Sequence, residues 1–292
     1  MKEPENEQKS VIMNIISMLI FGTIGIFRRY IPVPSAFLAF SRGLLGGLFL
    51  LVFINLFHRT SKERMALPAM IWLVISGAVM GVNWMLLFEA YNHTTVAVAT
   101  LCYYMQPAIV LLLSPIIFRE RLKSKECICA IIAIVGMVLV SGVIEGEKAG
   151  TGNMTGILFG LGAAVFYSIV IIINKMIRGI DPYRKTVIQL FAAGAVMIPY
   201  MLLKGGFYGV RLNFITMILL LIVGLVHTGI AYVLYFGSMD GLKAQSVAIL
   251  SYIDPVSALF FSALLLKEPL NFTGIIGAIM IIGSAIISEI QL

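Results

Sequence analysis

Residues 104–107 read Tyr104-Met105-Gln106-Pro107, and residues 252–255 read Tyr252-Ile253-Asp254-Pro255. In both copies a basic residue and a glutamate follow the proline at the same distance, as Arg119-Glu120 and Lys267-Glu268. Each copy then continues into a Gly-containing apolar stretch. A duplicated set of apolar helices with a proline inside one member is typical of transporters made of two repeats, whose substrate site lies between the repeats near the middle of the bilayer. The pattern predicts a carrier of a small solute.

The two copies correspond at a constant separation over much of their length. Phe88 matches Phe236, Tyr104 matches Tyr252, Pro107 matches Pro255 and Glu120 matches Glu268, with 148 positions between the members of each pair. After a one-residue slip, Gly136 matches Gly283. We assign residues 1–145 to a first repeat and residues 153–292 to a second.

Composition predicts an integral membrane protein. The chain is 60% hydrophobic and 12% charged, with a mean hydropathy of +1.01, which is more apolar surface than a water-soluble core of this size can bury. The net charge of +7 does not indicate a nucleic-acid partner, because the Lys and Arg residues lie in short connections between apolar stretches. The partner is the lipid bilayer.

A membrane-spanning helix needs about 20 apolar residues, and the sequence offers ten such segments. They are 10–28, 35–57, 69–91, 95–117, 126–144, 154–174, 184–203, 214–236, 244–265 and 271–289. Lys and Arg concentrate in the connections after the second, fourth and sixth segments, which predicts that both termini are cytoplasmic. Because each repeat then has an odd number of helices, the second is predicted to be inverted relative to the first. The fold class is an all-α membrane protein of ten helices in two inverted five-helix repeats.

Small residues and cysteines predict helix packing. Gly43 with Gly47, and Gly156 with Gly160, have the four-residue spacing that lets helix backbones approach closely in lipid. The cysteines at 102, 127 and 129 are odd in number and lie in apolar stretches, so we interpret them as packing residues. We predict no metal, no cofactor and no enzymatic activity, since the chain has no phosphate-binding glycine loop, zinc-protease helix or nucleophile elbow.

These features together carry a family resemblance. The chain resembles the EamA branch of the drug/metabolite transporter superfamily. The resemblance rests on the two inverted five-helix copies, on the stretch Thr95-Val96-Ala97-Val98-Ala99-Thr100 before the Pro107 helix, and on the repeated aromatic-x-polar-Pro and basic-Glu elements. The resemblance covers essentially the whole chain. It implies an alternating-access carrier of the bacterial cytoplasmic (inner) membrane, with a central cavity between the repeats.

Ionisable groups at membrane depth are costly and are therefore candidate functional residues. Arg42, in the second segment, is predicted to bind a substrate carboxylate or to gate the outer vestibule. Glu89, near the outer end of the third, is a candidate for ion coupling. The alternative is that Arg42 and Glu89 only neutralise one another, or that Glu89 extends to the outer water.

Asp254 is the strongest candidate for a functional residue, because it lies near the centre of the ninth segment directly before Pro255. Its repeat counterpart Gln106 lies directly before Pro107. A proline removes a backbone donor and frees the carbonyl four residues earlier, so both sites combine a polar side chain with a free carbonyl. We predict that Asp254 and Gln106 line the cavity and that Asp254 couples a proton; the alternative is a hydrogen bond that only joins helices.

The remaining candidates are one histidine and a set of polar aromatic residues. His227 is a candidate for proton exchange, or a neutral hydrogen-bonded residue of the bundle. The predicted substrate-binding residues, which offer aromatic faces and weak polar groups, are Asn83, Trp84, Tyr103, Tyr104, Tyr232 and Tyr252. The charged pairs 119–120 and 267–268 are interpreted as boundary charges without a chemical role.

The candidate residues and the resemblance together favour a secondary carrier that exports an amino acid or a related small molecule, with import as the alternative direction. One alternative is a proton-coupled exporter of drugs or cationic compounds. Another, from a different class, is a membrane-embedded enzyme or sensor. The coupled ion, a proton or another, stays open at this point.

Overall fold

The structure is a computed structural model that describes residues 4–57, 65–118, 124–140, 151–177, 179–204, 210, 212–239, 241–242, 250–268 and 272–289. Within these ranges the chain is helical apart from short turns, and no strand occurs. The predicted all-α fold class is confirmed. The Arg119-Glu120 pair lies outside the described residues.

Among the described residues of the first half, the chain forms seven helices. They are α1 (Pro4–Gly22), α2 (Ile24–Tyr30), α3 (Ser35–Phe57), α4 (Leu67–His93), α5 (Val96–Tyr103), α6 (Gln106–Phe118) and α7 (Ser124–Val140).

In the described part of the second half, the chain forms α-helices and two π-helical segments. They are α8 (Thr151–Met176), α9 (Pro182–Lys204), α10 (Phe214–Leu221), a first π-segment (Ile222–Ile230), α11 (Ala231–Met239), α12 (Ile253–Phe261), a second π-segment (Ser262–Leu266) and α13 (Phe272–Glu289).

Six helical stretches in the described residues are long and apolar enough to cross a membrane. They are Glu7–Tyr30, Ser35–Phe57, Leu67–His93, Met154–Met176, Pro182–Leu203 and Phe214–Met239. Shorter apolar helices occupy Val96–Val110, Cys127–Gly136, Ile253–Leu266 and Phe272–Ser284. The predicted spans overlap these stretches, the fifth being described only to residue 140 and the ninth only from residue 250. Four of the stretches are shorter than a membrane-spanning helix, so the count of ten spans stays a prediction.

Both repeated prolines lie just after a break in a helix. In the first half, α5 ends at Tyr103 and α6 begins at Gln106, with Pro107 as the second residue of the new helix. In the second half, a turn at Tyr252 precedes α12, and Pro255 is its third residue. A proline fits the first turn of a helix, where its missing N–H is not needed. The helices that carry Gln106 and Asp254 are therefore discontinuous, as expected at a transporter's substrate site.

Packing between the two halves is reciprocal. α1 of the first half lies against α11 and α12 of the second, while α8 of the second half lies against α4, α5 and α6 of the first. Further cross-half contacts include those of α9 with α3 and α4, of the first π-segment with α3, of α12 with α5, and of α13 with α7. Such an exchange of the first helix is the arrangement that two related repeats produce.

Glycines make the closest of these contacts, as the small-residue spacing predicted. A Cβ on Gly43 would lie 2.6 Å from the Leu190 carbonyl, and one on Gly156 would lie 2.6 Å from Thr94. Gly47 and Gly160 likewise lie against neighbouring helices. Of the free cysteines, those at 102 and 129 are buried and that at 127 is half-buried.

Candidate functional site

Asp254 and Tyr104 join the two halves at the helix breaks. The Tyr104 hydroxyl donates to Oδ2 of Asp254 over 2.6 Å. Asp254 lies in the first turn of α12, and α1 comes close at Gly22, where a Cβ would lie 2.8 Å from the Asp254 carbonyl oxygen. Both side chains of the pair remain half-buried although they face one another from different helices. Both groups are therefore partly exposed where the two halves meet, and we refer to the region between this pair and the aromatic residues around it as the central space.

Aromatic rings form two groups around this space. In the first, the Tyr103 ring stacks on Tyr167 with centroids 5.3 Å apart and meets Tyr104 edge-on at 5.8 Å. In the second, Tyr232 stacks on Phe236 at 5.7 Å. The second group also includes Phe21 and Tyr235. These side chains are half-buried, so part of each ring or hydroxyl group remains accessible.

Arg42 provides the positive charge. Its guanidinium carbon lies 4.1 Å from the centroid of the Trp84 ring, a cation–π contact. Its Nε donates to the Thr228 hydroxyl over 2.8 Å, and that hydroxyl donates in turn to the Val223 carbonyl over 3.1 Å. Thr228 belongs to the first π-segment, and it comes this close because Gly46, one turn after Arg42, has no side chain in its way.

The remaining donors of Arg42 are available for a ligand. Arg42 is only 5% exposed, and within the described residues its two terminal nitrogens have no hydrogen-bond partner. Electrostatic interactions link Arg42 to Asp254 and to tyrosines of both aromatic groups, Tyr103 and Tyr232. Arg42 and Asp254 form no direct ion pair among those described. Opposite charges therefore border one aromatic space without neutralising each other by contact.

The other predicted substrate-binding residues differ in position. Gln106 is half-buried, and its side chain has no partner in the described part of the chain. Tyr252 is buried, with its ring 6.5 Å from that of Tyr104. Asn83 is fully buried and donates to the Ala163 carbonyl of α8 over 2.6 Å. Gln106 thus fits the cavity lining, whereas Asn83 joins two helices.

His227 is buried at the contact between the first π-segment and the first span. Its Nε2 lies 2.9 Å from the Thr23 hydroxyl, and its ring meets Phe27 edge-on at 4.6 Å. The Thr23 hydroxyl also lies 2.8 Å from the Ile20 carbonyl, to which it donates. His227 Nδ1 also lies 3.5 Å from the Ile222 carbonyl oxygen, so which ring nitrogen carries the hydrogen depends on the tautomer. These contacts are those of a hydrogen-bonded residue of the bundle.

Glu89 does not pair with Arg42 in this structure. Its carboxylate accepts from Asn92 over 3.3 Å and lies 3.7 Å from His93, both on the same helix. The side chain is 33% exposed. Arg42 and Glu89 make no contact with each other, which argues against the alternative in which they only neutralise one another. Glu89 lies near the C-terminal end of α4 and is partly exposed, which agrees with the alternative in which it extends to the outer water.

Several lining residues escaped the sequence analysis. Tyr167 and Phe21 lie in predicted spans, but nothing in their local pattern separates them from packing aromatics. Thr228 was missed because a π-helical turn, which often marks functional sites, leaves no simple signature in sequence. In the described ranges, no three His, Cys, Asp or Glu side chains come close enough to hold a metal ion.

Comparison with known proteins identifies a transporter family and a shared fold. The model of the EamA-like transporter family matches residues 8–142 and 154–289, one match in each half. The uncharacterized transporter YxxF of Bacillus subtilis (strain 168) is 32% identical over 257 residues, which cover 87% of this chain and 81% of that protein. An uncharacterized transporter of Archaeoglobus fulgidus is 26% identical over 277 residues, 94% of each chain. A solved crystal structure at 18% identity shares the fold, with a TM-score of 0.64 and 97% of each chain covered.

Proposed function

Because the chain belongs to the EamA-like transporter family, we propose that this multi-pass membrane transporter is a secondary carrier that exports an amino acid or a related small molecule by alternating access. We place it in the cytoplasmic membrane of a bacterium with both termini inside. Its substrate path runs between the two halves, through the space bordered by Arg42 and Asp254. The enzyme alternative is excluded by the family, whose members are transporters.

One observation carries the choice of substrate. Arg42 and Asp254 face the same aromatic space and interact electrostatically without forming an ion pair in the described residues. A carboxylate that enters there can accept from the two unpaired nitrogens of Arg42, in the bidentate geometry that a guanidinium favours. An ammonium group can donate to Asp254 and lie against tyrosine faces. A zwitterion satisfies both charges at once.

Ion coupling is assigned to Asp254 rather than to Glu89 or His227. A carboxyl group that binds a proton and contacts the substrate can exchange one for the other. Glu89 bonds within its own helix at its exposed end, and His227 is buried against Thr23 and Phe27. Asp254 has the position that coupling requires, because Oδ1 has no partner within the described residues.

A second candidate function rests on the tyrosines. Asp254 lies beside Tyr104, and Tyr103 and Tyr167 stack next to it. A carboxylate surrounded by aromatic faces also suits an organic cation without a carboxylate. In that case the protein would be a proton-coupled exporter of cationic compounds, and Arg42 would contribute only packing and a repulsive charge.

A binding and flux experiment separates the two candidates. Purified protein is screened for thermal stabilisation by amino acids, by their amides and esters, and by quaternary ammonium compounds. A ligand that binds only the folded protein at 100 times its Kd adds about 2.7 kcal/mol of stability. Hits are then tested for counterflow in sealed proteoliposomes. Stabilisation and counterflow by free amino acids, but not by their amides, support the proposal; the reverse pattern supports the cation exporter.

A further inference from the structure

Glu268 is the centre of a polar cluster at the end of the bundle that is predicted to face outward. Arg29 donates from one terminal nitrogen to Oε1 over 2.8 Å, and the Val96 amide donates to Oε2 over 2.9 Å. The Ser262 hydroxyl also donates to Oε2. The Glu268 side chain is 11% exposed, against 34% for Arg29. The carboxylate is therefore almost enclosed by its donors.

The backbone is shaped to present this carboxylate. The second π-segment, Ser262–Leu266, ends α12, and Lys267 follows with φ 54°, in the left-handed region. Lys267 is the one non-glycine residue with positive φ in the described part of the chain. Such a conformation is unfavourable for a residue with a Cβ and persists where surrounding contacts hold it. The turn directs Glu268 back toward α2 and α5.

The cluster ties three chain segments across the two halves. Arg29 lies in the last turn of α2, and its NH2 group also donates to the Thr94 carbonyl over 2.8 Å. Val96 is the first residue of α5, the helix that ends at Tyr103 beside the cavity. Glu268 lies just after the second π-segment, which continues α12, and Asp254 lies in the first turn of α12. The contact thus joins the ends of the helices whose other ends border the proposed substrate site.

We propose that Arg29, Glu268 and the Val96 amide form a latch that closes the predicted outer end of the substrate path, and that this latch opens and closes in each transport cycle. The inference rests on the proposed function, because alternating access requires that the two ends open in turn. A carboxylate with a charged donor and a helix-terminal amide supplies a strong contact that a small movement breaks completely. Glu268 is a positioning residue and does not touch substrate.

Thiol accessibility tests the latch without any substrate. The native cysteines are replaced by alanine, and Gln106→Cys is introduced as a reporter in the cavity lining. Intact cells are treated with a membrane-impermeant methanethiosulfonate, and the rate of labelling is measured. With the latch intact the reporter labels slowly. Glu268→Gln removes the charge-assisted bond from Arg29, so we expect the labelling rate to rise about tenfold.

Two further variants make the result specific. Glu89→Gln removes a carboxylate at the same end of the bundle whose bonds stay within α4, so labelling should keep the reference rate. Arg29→Gln should raise the rate, while Arg29→Lys should restore most of the closure. Folding of Glu268→Gln is judged by whether the protein elutes as a monodisperse peak in detergent. If it does not fold, the labelling rates of Arg29→Gln and Arg29→Lys test the latch. Equal labelling rates for Arg29→Gln, Glu89→Gln and the reference would overturn the latch.

The latch and the proposed function can fail separately. Labelling needs no transported solute, so a rate that rises as expected supports the latch whatever the substrate proves to be. Absence of counterflow for every amino acid would reject the proposed substrate while leaving the labelling result intact. Normal counterflow combined with unchanged labelling in Glu268→Gln and Arg29→Gln would reject the latch alone.

Discussion

Tyr104 of the first half donates its hydroxyl hydrogen to Asp254 of the second over 2.6 Å, and its own repeat counterpart, Tyr252, lies two residues before that aspartate. The two copies of one motif therefore meet in the structure, but they are not equivalent there. Tyr252 is buried and Tyr104 borders the cavity. Asp254 therefore has a hydrogen-bond partner, Tyr104, whereas the side chain of its repeat counterpart Gln106 has none in the described part of the chain. This difference makes Asp254, and not Gln106, the candidate for ion coupling.

Replacing Asp254 with Asn tests that assignment. The amide keeps the shape of the side chain and can still accept from Tyr104, but it cannot bind and release a proton. We expect Asp254→Asn to bind the substrate more weakly, because the ammonium group loses its charged partner, while the remaining transport loses its response to an imposed pH gradient. The measurement is flux into proteoliposomes with and without the gradient, beside a thermal-shift measurement of binding.

Tyr104→Phe is the matched control for the same hydrogen bond. It removes the donor and leaves the carboxyl group ionisable, so flux should still respond to the pH gradient even if its rate changes. Wild-type pH-driven flux in Asp254→Asn would show that Asp254 is not the coupling group. Loss of the pH response in both variants would indicate that the hydrogen bond, not the titrating carboxyl, matters.

Arg42→Lys tests carboxylate recognition. Lysine keeps the charge but not the planar pair of donors, and it loses the contact over Trp84. We expect weaker binding of the carboxylate-bearing substrate, by about tenfold for a lost charge-assisted bond, with little change for its amide analogue. Affinity for the two ligands is measured on the same protein preparation.

A double variant tests the alternative in which Arg42 only balances the charge of Glu89. If Arg42 only balanced Glu89, the stability lost in Arg42→Gln would be recovered by adding Glu89→Gln. The structure places Glu89 against Asn92 and His93, so we expect no recovery in the double variant, measured as the thermal midpoint in detergent. Recovery, or equal affinity loss for both ligands in Arg42→Lys, would reject carboxylate recognition at Arg42.

The repeated prolines explain how much of the fold was predictable. Apolar length and the prolines locate the helices and their breaks, because the cost of unpaired backbone groups in lipid leaves few alternatives. Ser35–Phe57 coincides with the predicted span 35–57. The unpredicted features are local: the two π-segments and the left-handed Lys267 depend on contacts between helices, which no residue spacing records.

The sequence predicts which residues are candidates for the site, but it does not predict which side chains they contact. Arg42 and Asp254 stand out in sequence because charge at membrane depth is costly. Which groups they face depends on helix rotation, so depth alone suggested Glu89 for Arg42 where the structure has Thr228. Glu268 was interpreted as a boundary charge because it follows an apolar stretch, and only the turn after α12 shows that it crosses to Arg29.

Topology can be tested with cysteines at Gly146 and Arg121, positions that lie outside the described residues. Charge bias predicts that residue 146 lies outside the cell and residue 121 inside. In a background without the native cysteines, we expect an impermeant thiol reagent added to intact cells to label Gly146→Cys and to leave Arg121→Cys unlabelled. Labelling of residue 121 alone, or of both equally, would contradict the inverted-repeat arrangement.

Gly46 supplies a stability prediction with a matched control. A Cβ on Gly46 would lie 2.4 Å from Cγ2 of Thr228 and 3.3 Å from the Gly224 carbonyl. Gly46→Ala must therefore push the first π-segment away from α3 and stretch the bond between Thr228 and Arg42. Overpacking of this kind costs about 1–3 kcal/mol.

A Cβ on Gly283 of α13 would meet nothing within 4 Å, and replacing a mid-helix glycine by alanine gains about 0.5–1 kcal/mol. We expect Gly46→Ala to lower the thermal midpoint in detergent and to weaken substrate binding, while Gly283→Ala leaves binding unchanged and the midpoint equal or higher. A Gly46→Ala protein with wild-type stability and affinity would show that the close approach of Thr228 does not hold Arg42 in place.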